Sequence, residues 1–371
     1  MKKIVPIRVL MVVNSLSVAD GVASYAMNYF RKIDKTKILI DFAVLRYHSS
    51  SYYREIELAG GRVYNLPPIQ NFSDHMKACR QIFDTDDECY DIVHDNSLLL
   101  SLPLMWHAKK AHVPVRILHS HSSQLGGNKY KARRNKMLLP VLKAQASDYT
   151  ACSQSAGAAL FGKSFFVVIP NAIDREIFCF DKKKRQEIRE KMHAENKFVV
   201  GTVGRLAEEK NPFFAMEVFA ALMQFCENIE YWWVGDGPLR EEIQQYAKQL
   251  GIAEKVVFLG NRTDVAVLYQ GMDCFFMPSF FEGLPVTCIE AQAVGLPCVL
   301  SDGIPDEMIY TDLIEYISLK QPAQYWAKRI LSKRKAPERS GCTSELCQSC
   351  FEIHKVTIEL ENLYRTMFNR T

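Results

Sequence analysis

The 371-residue chain has no run of about 18 consecutive apolar residues, the length a helix needs to cross a bilayer, so no segment reads as a membrane span. It has little net charge. The 46 Lys and Arg against 42 Asp and Glu leave +4, which gives no argument for a nucleic-acid partner. It also lacks the cysteine density of a disulfide scaffold: eleven are spread along the chain, and Cys274, Cys288 and Cys298 lie in apolar runs. These read as buried thiols of a reducing, cytoplasmic compartment. Cys342, Cys347, Cys350 and His354 cluster, but their spacing is not a familiar paired zinc pattern, and the reading is an irregular surface segment with no metal. The start, Met1-Lys2-Lys3-Ile4-Val5, is superficially like a secretion signal. Pro6 and Arg8 interrupt it and no small-residue cleavage site follows, so a first strand is the better reading. The full dinucleotide fingerprint G-x-G-x-x-G is absent.

What is present is alternation. A chain this long exceeds one usual core, so two domains are expected. In the first half, Ile7–Val13 is a short apolar run of the kind buried on both sheet faces. A polar loop over 14–21 and a helix over 22–33 follow. This is a mononucleotide-type unit, with Gly21 near where a phosphate would sit. Further strands are expected at 38–45, 62–66, 90–94, 115–119, 148–153 and 165–169, with helices between several of them. Such alternation predicts a parallel sheet with helices on both faces, whose ligands bind beyond the carboxyl ends of the strands. His94, His119 and His121 fall at such ends, and His121, just past its strand, is the better candidate to face a cleft. Five basic residues, Lys129, Lys131, Arg133, Arg134 and Lys136, precede the apolar run from Met137 to Leu142. That pattern suits either a solvated helix entering the core or a basic, partly apolar edge touching anionic lipid or a pyrophosphate-bearing acceptor.

Pro170-Asn171-Ala172-Ile173-Asp174 is read as a hinge. A second alternation follows, with strands expected at 198–203, 230–234, 256–259, 274–277 and 298–301. Its strand-to-helix turns carry the chemistry. After Gly204 come Arg205, which can fork two phosphate oxygens, and Lys210, a point charge. Val234-Gly235-Asp236-Gly237-Pro238-Leu239 is a second such turn. Gly260, Asn261 and Arg262 end a strand where a flat base can lie against backbone. The fourth turn runs from Met277 to Ala291. Pro285 suits a first helical position, leaving the amides of Val286 and Thr287 at a helix end that attracts phosphate. Gly283 lets the loop approach a ligand. Glu282 and Glu290 bracket that end, and an ionised Glu, which only accepts hydrogen bonds, suits a pair of sugar hydroxyls.

Together these motifs resemble the retaining glycosyltransferases of the GT-B fold, the group called family 4. The resemblance runs over nearly the whole chain. It rests on Gly204-Arg205-Leu206 with Lys210, on Val234 to Leu239, on Phe258-Leu259-Gly260, and above all on Glu282, seven intervening residues and Glu290. The Gly21 loop, His119-Ser120-His121 and Pro170 to Asp174 also fit. Within the group the chain is most similar to bacterial enzymes of capsular or exopolysaccharide synthesis. The resemblance implies an α/β protein with two tandem Rossmann-like domains, parallel sheets with helices on both faces, facing each other across a cleft. Residues 1–172 would bind the acceptor and 173–352 the nucleotide sugar, with a helix over 353–371 crossing back onto the first domain. Arg205 and Lys210 would neutralise the diphosphate, and Glu290 would take the ribose hydroxyls. Glu282 would hold the donor sugar, with the amides of Gly283, Leu284, Val286 and Thr287 on sugar and phosphate. His121 would face the sugar, and Gly21 would let the first loop approach the phosphates. The implied partners are a nucleotide-diphosphate sugar, with UDP as its nucleotide, and a glycan or lipid-linked acceptor, with peripheral contact at the inner membrane face. No cofactor or metal is implied. A non-catalytic scaffold subunit and a nucleotide-sugar epimerase are the competing readings. The combination of Arg205, Lys210, Glu282 and Glu290 argues against the scaffold, and turnover of donor without acceptor would mark the epimerase.

Overall fold

The computed structural model describes residues 6–18, 20–84, 89–122, 129–335, 339–341 and 343–370, with backbone alone at 129–131, 335 and 343. The chain divides into two compact units, Met1–Asn171 with Ile353–Thr371, and Ala172–Glu352.

The first unit holds a seven-stranded parallel sheet. Its strands are β1 (Ile7–Val13), β2 (Ile38–Val44), β3 (Val63–Asn65), β4 (Ile92–Asp95), β5 (Val115–Ser120), β6 (Asp148–Ala151) and β7 (Val167–Val168), in the order β3-β2-β1-β4-β5-β6-β7. β1 is central because its apolar run tolerates burial on both faces; Val9 to Val13 have no solvent exposure. The order reverses between β1 and β4, where such sheets bind ligands beyond the strand ends. Gly21 is the first residue of the helix Gly21–Lys32, not part of the preceding loop, because the Asp20 carboxylate caps the Val22 amide at 2.9 Å. The buried face of that helix carries Tyr25 and Tyr29. Helix Ile353–Phe368 packs against it within this unit. There Glu361 accepts from the Asp34 amide at 2.9 Å, and the Tyr364 hydroxyl meets His94 Nδ1 at 2.6 Å. In helix Lys129–Lys143 the expected entry into the core is confined to Leu142. Met137, Leu138 and Val141 stay exposed beside Arg133, Arg134 and Lys136.

The second unit holds a six-stranded parallel sheet, β8 (Phe198–Val203), β9 (Ile229–Val234), β10 (Val256–Gly260), β11 (Cys274–Met277), β12 (Cys298–Ser301) and β13 (Ile314–Ile317), ordered β10-β9-β8-β11-β12-β13. β13 was absent from the sequence reading. Its alternation of Ile with Glu and Tyr is too short to stand out, and it forms by pairing Cys298 with Ile314 along the sheet edge. Tyr231, Trp233 and Phe276 fill one face of the sheet, packed with Trp326 of helix Ala323–Ser332 and with helix Pro212–Met223. Full burial of each such side chain contributes about 2–3 kcal/mol. The chain leading into the cysteine cluster is anchored. Arg339 donates to the carbonyls of Tyr269, Gln270, Met272 and Val294, and burial beside Arg185 pushes its pKa down to about 9. Thr343–Gln348 is a helix, and Cys347 Sγ lies 2.9 Å from Arg175. Cys342 lies outside the described residues, and among those residues no group of three or more His, Cys, Asp or Glu is arranged to hold a metal ion. Among the described residues no helix is long and apolar enough to cross a membrane.

Candidate active site

The turns that follow β8, β9 and β10 are bonded into one floor. The Gly204 amide donates to Val234 at 2.9 Å, Gly235 to Gly260 at 2.8 Å, and Leu206 to Asp236 at 3.1 Å. Trp233 Nε1 donates to the Gly204 carbonyl at 3.0 Å. The backbones approach this closely because Gly235 lacks a side chain. Its φ is +130°, and a Cβ there would stand 2.2 Å from the Gly204 oxygen.

Over this floor lies Lys210. It ends a short turn at Glu208–Lys210, after which Pro212 opens the next helix. A Cβ on Gly204 would meet Lys210 Cε at 3.2 Å, so glycine lets the lysine lie along the backbone. Lys210 Nζ reaches Glu282 Oε1 at 2.6 Å, with the two side chains only 15% and 12% exposed. The Glu282 loop is tied to the same region by the Phe280 amide, which donates to the Glu209 carbonyl at 2.9 Å. Arg205 is exposed, and its guanidinium has no partner among the described residues.

Helix Val286–Ala293 leaves this loop with no side-chain cap. Pro285 occupies the cap itself, at φ −69° and ψ 109°, not the first helical position, because its extended ψ precedes the first turn. Glu290 accepts from the Tyr269 hydroxyl at 2.9 Å, and burial pushes its carboxyl up to about 7. Thr287 Oγ1 and Ser279 Oγ are buried with no hydrogen-bond partner among the described residues. Tyr269 escaped the sequence reading, since a tyrosine within an apolar helix reads as core.

The second unit thus joins Gly204, Lys210 and Glu282 in direct contact and holds Gly260 against Gly235. Gly283 lies in the Glu282 loop. Leu284 and Val286 bury their side chains, and only their backbones are left for a ligand. Arg262 is paired within its own turn. It forks Asp264 at 2.7 and 2.6 Å, a local pairing that the strand-end pattern hid, while Asn261 beside it is exposed.

Gly21 and His121 belong to the first unit. Three imidazoles line up there. His94 Nε2 is 3.0 Å from His119 Nδ1, and the His119 and His121 rings stack at 4.2 Å and 10°. Burial pushes all three well below the usual histidine pKa, with repulsion between the rings adding to it at His119 and His121, which favours their neutral forms. His121 Nε2 lies 2.8 Å from Asn96 Oδ1. The sequence reading passed over Asn96, and only its place two residues after His94 hinted at it.

Residues 183–324 match the family model described as Glycosyl transferases group 1. The chain is 32% identical over 370 residues to EpsF of Bacillus subtilis, a protein assigned as a glycosyltransferase, and the match covers 96% of each. It is 28% identical over 227 residues to the UDP-Gal:alpha-D-GlcNAc-diphosphoundecaprenol alpha-1,3-galactosyltransferase of Escherichia coli, covering 58% of each. HepE of Anabaena, solved in complex with UDP and glucose, is similar in structure with a TM-score of 0.79 at 18% identity, covering 96% of this chain and 99% of that one. Two Rossmann-like units with these strand orders define a GT-B protein. The chain belongs to the group 1 glycosyltransferases and is an enzyme of sugar transfer.

Proposed function

We propose that this glycosyltransferase moves a sugar from a UDP-sugar to a hydroxyl of a growing, lipid-linked polysaccharide. It retains the configuration at the sugar carbon, as in family 4, and needs no metal. The observation that carries the reading is the Lys210–Glu282 pair beside an uncapped helix end. An incoming diphosphate takes over Lys210, joined by Arg205 and the helix-end amides, and this releases Glu282 for the sugar hydroxyls. As the bond between the sugar carbon and the phosphate oxygen breaks, charge builds on the leaving diphosphate, and these fixed donors stabilise it. The departing phosphate oxygen then takes the proton of the acceptor hydroxyl, whose oxygen bonds the sugar carbon on the same face. A relative named for UDP-galactose transfer to a lipid diphosphate, and a fold shared with a UDP-bound structure, support the donor and acceptor classes. The exposed basic and apolar face of helix Lys129–Lys143 supports an acceptor carried at an anionic lipid surface.

A thermal-shift screen against UDP, GDP, ADP, CMP and TDP tests the donor. A nucleotide at 100 times its dissociation constant stabilises by about 2.7 kcal/mol. UDP is expected to raise the melting temperature of the wild type and not of R205A/K210A. No shift with any nucleotide would overturn the donor site.

Glu290 adds a pH dependence. Its carboxyl, raised to about 7, accepts from both ribose hydroxyls with both oxygens only when ionised, so below pH 7 a proton must first leave for that arrangement. Each pH unit then costs about 1.4 kcal/mol. Affinity for UDP-glucose or UDP-galactose, whose phosphates do not titrate in this range, is expected to fall up to about tenfold per unit from pH 7 to 5. Calorimetry on E290Q is expected to give a flat profile; an equal slope in the variant would remove Glu290 from this role.

A further inference from the structure

We infer that Asn96 is a positioning residue that holds His121 in its Nε2–H tautomer and leaves Nδ1 bare to accept a hydrogen bond from a hydroxyl of a sugar at the carboxyl ends of the first unit's strands. That a sugar is the ligand rests on the proposed function; the tautomer rests on geometry alone. Asn96 follows β4 directly and is 3% exposed. Its amide nitrogen lies 3.2 Å from the His94 carbonyl oxygen and 3.0 Å from Met11 Sδ. Both of those atoms only accept. Turning the amide over would set its oxygen against the His94 carbonyl oxygen and Met11 Sδ and leave a buried NH donor without a partner, so Oδ1 is the atom that faces His121 Nε2 at 2.8 Å. Oδ1 only accepts, and therefore Nε2 carries the proton. In a neutral imidazole the other nitrogen then bears a lone pair. Among the described residues nothing bonds to His121 Nδ1, and the residue keeps partial solvent exposure.

The ring is held in place as well as in protonation. It stacks on His119 at 4.2 Å and meets the Tyr25 ring edge-on at 4.8 Å. The titratable groups against it are His119 on β5, His94 on β4 and Tyr25 on the first helix. None is an anion that would favour imidazolium, and burial with His94 nearby pushes the His121 pKa down to about 3. A bare ring nitrogen takes a hydroxyl proton but repels a carboxylate. The site therefore favours a neutral hydroxylated sugar over a uronate.

Long-range proton–nitrogen correlation spectra of histidine-labelled protein test the tautomer, with the His121 signals assigned from H121A. The wild type is expected to show a protonated Nε2 and a pyridine-like Nδ1 unchanged between pH 8 and 5.5. N96A is expected to mix the tautomers, and N96D, nearly isosteric, to create an imidazolium that titrates in that range. In kinetics, N96A is expected to lower kcat/KM for the UDP-sugar about tenfold and leave the affinity for UDP, which lacks the sugar, unchanged. H121A and H121A/N96A are expected to have equal activity. A wild type protonated on Nδ1, an N96A spectrum like wild type, or undiminished turnover in N96A would each overturn the inference. A wild type that binds no nucleotide would instead overturn the donor reading, and the spectra would still decide the tautomer.

Discussion

Replacing Arg205 and Lys210 together by alanine is expected to lower sugar transfer about 1,000-fold or more while leaving the fold intact. Removing one fixed donor from developing charge in an active site costs about 10²–10³ in rate, and these are the two side-chain cations that the site offers to a diphosphate. Their losses need not multiply, because both act on the same leaving group. Arg205 is exposed and free of partners among the described residues, so its truncation removes no packing. Lys210 differs. It is paired with Glu282 at 2.6 Å, and removing it leaves a carboxylate only 12% exposed without its cation. K210A alone is therefore expected to be less stable than R205A alone. Adding E282Q to K210A is expected to restore stability and not activity, since Glu282 is itself assigned to the sugar. Transfer rates with a radiolabelled UDP-sugar, read beside circular dichroism, check both statements. Activity of R205A/K210A within tenfold of wild type would remove the charge-stabilisation mechanism.

Gly235→Ala is expected to damage the second unit severely. The backbone at φ +130° lies where L side chains rarely go, and strain of that kind costs about 1–3 kcal/mol. The added Cβ would also stand 2.2 Å from the Gly204 oxygen, a backbone atom fixed by Trp233 and by the β8–β9 ladder, so it cannot yield as a side-chain tip would. A total near 4 kcal/mol is reasonable for strain and overpacking combined. For a unit of this size that corresponds to a melting temperature lower by roughly 8–16 °C. UDP binding is expected to fall with it, because the floor beneath Lys210 is the part displaced. Calorimetric melting of the variant checks the prediction, and a change of less than about 1 kcal/mol would mean that the floor is plastic.

Both predictions concern contacts that join distant parts of the chain, and that is where sequence reading thinned out. The strands of both sheets were legible as short apolar runs, because burial on both faces leaves a local mark. β13 was not legible: four residues at a sheet edge alternate too briefly, and only pairing with β12 makes them a strand. In the site, the two glutamates and the two cations stood out by type and by their place after strands. That Lys210 and Glu282 meet is a contact between residues 72 apart. Arg262 shows the local case: its guanidinium is taken by Asp264 two residues on, a pairing that its place at a strand end does not reveal.

The sequence by itself determined the alternation of strands and helices up to β12, the two Rossmann-like halves and the residue types at each turn, since these follow from periodicity and from which residues begin helices. The tertiary structure alone decided which charge is matched by which, which carboxyl is buried enough to hold a proton near neutral pH, and which nitrogen of His121 is bare. Desolvation and hydrogen bonding depend on what lies within a few ångströms in space, and no local pattern in the chain records that.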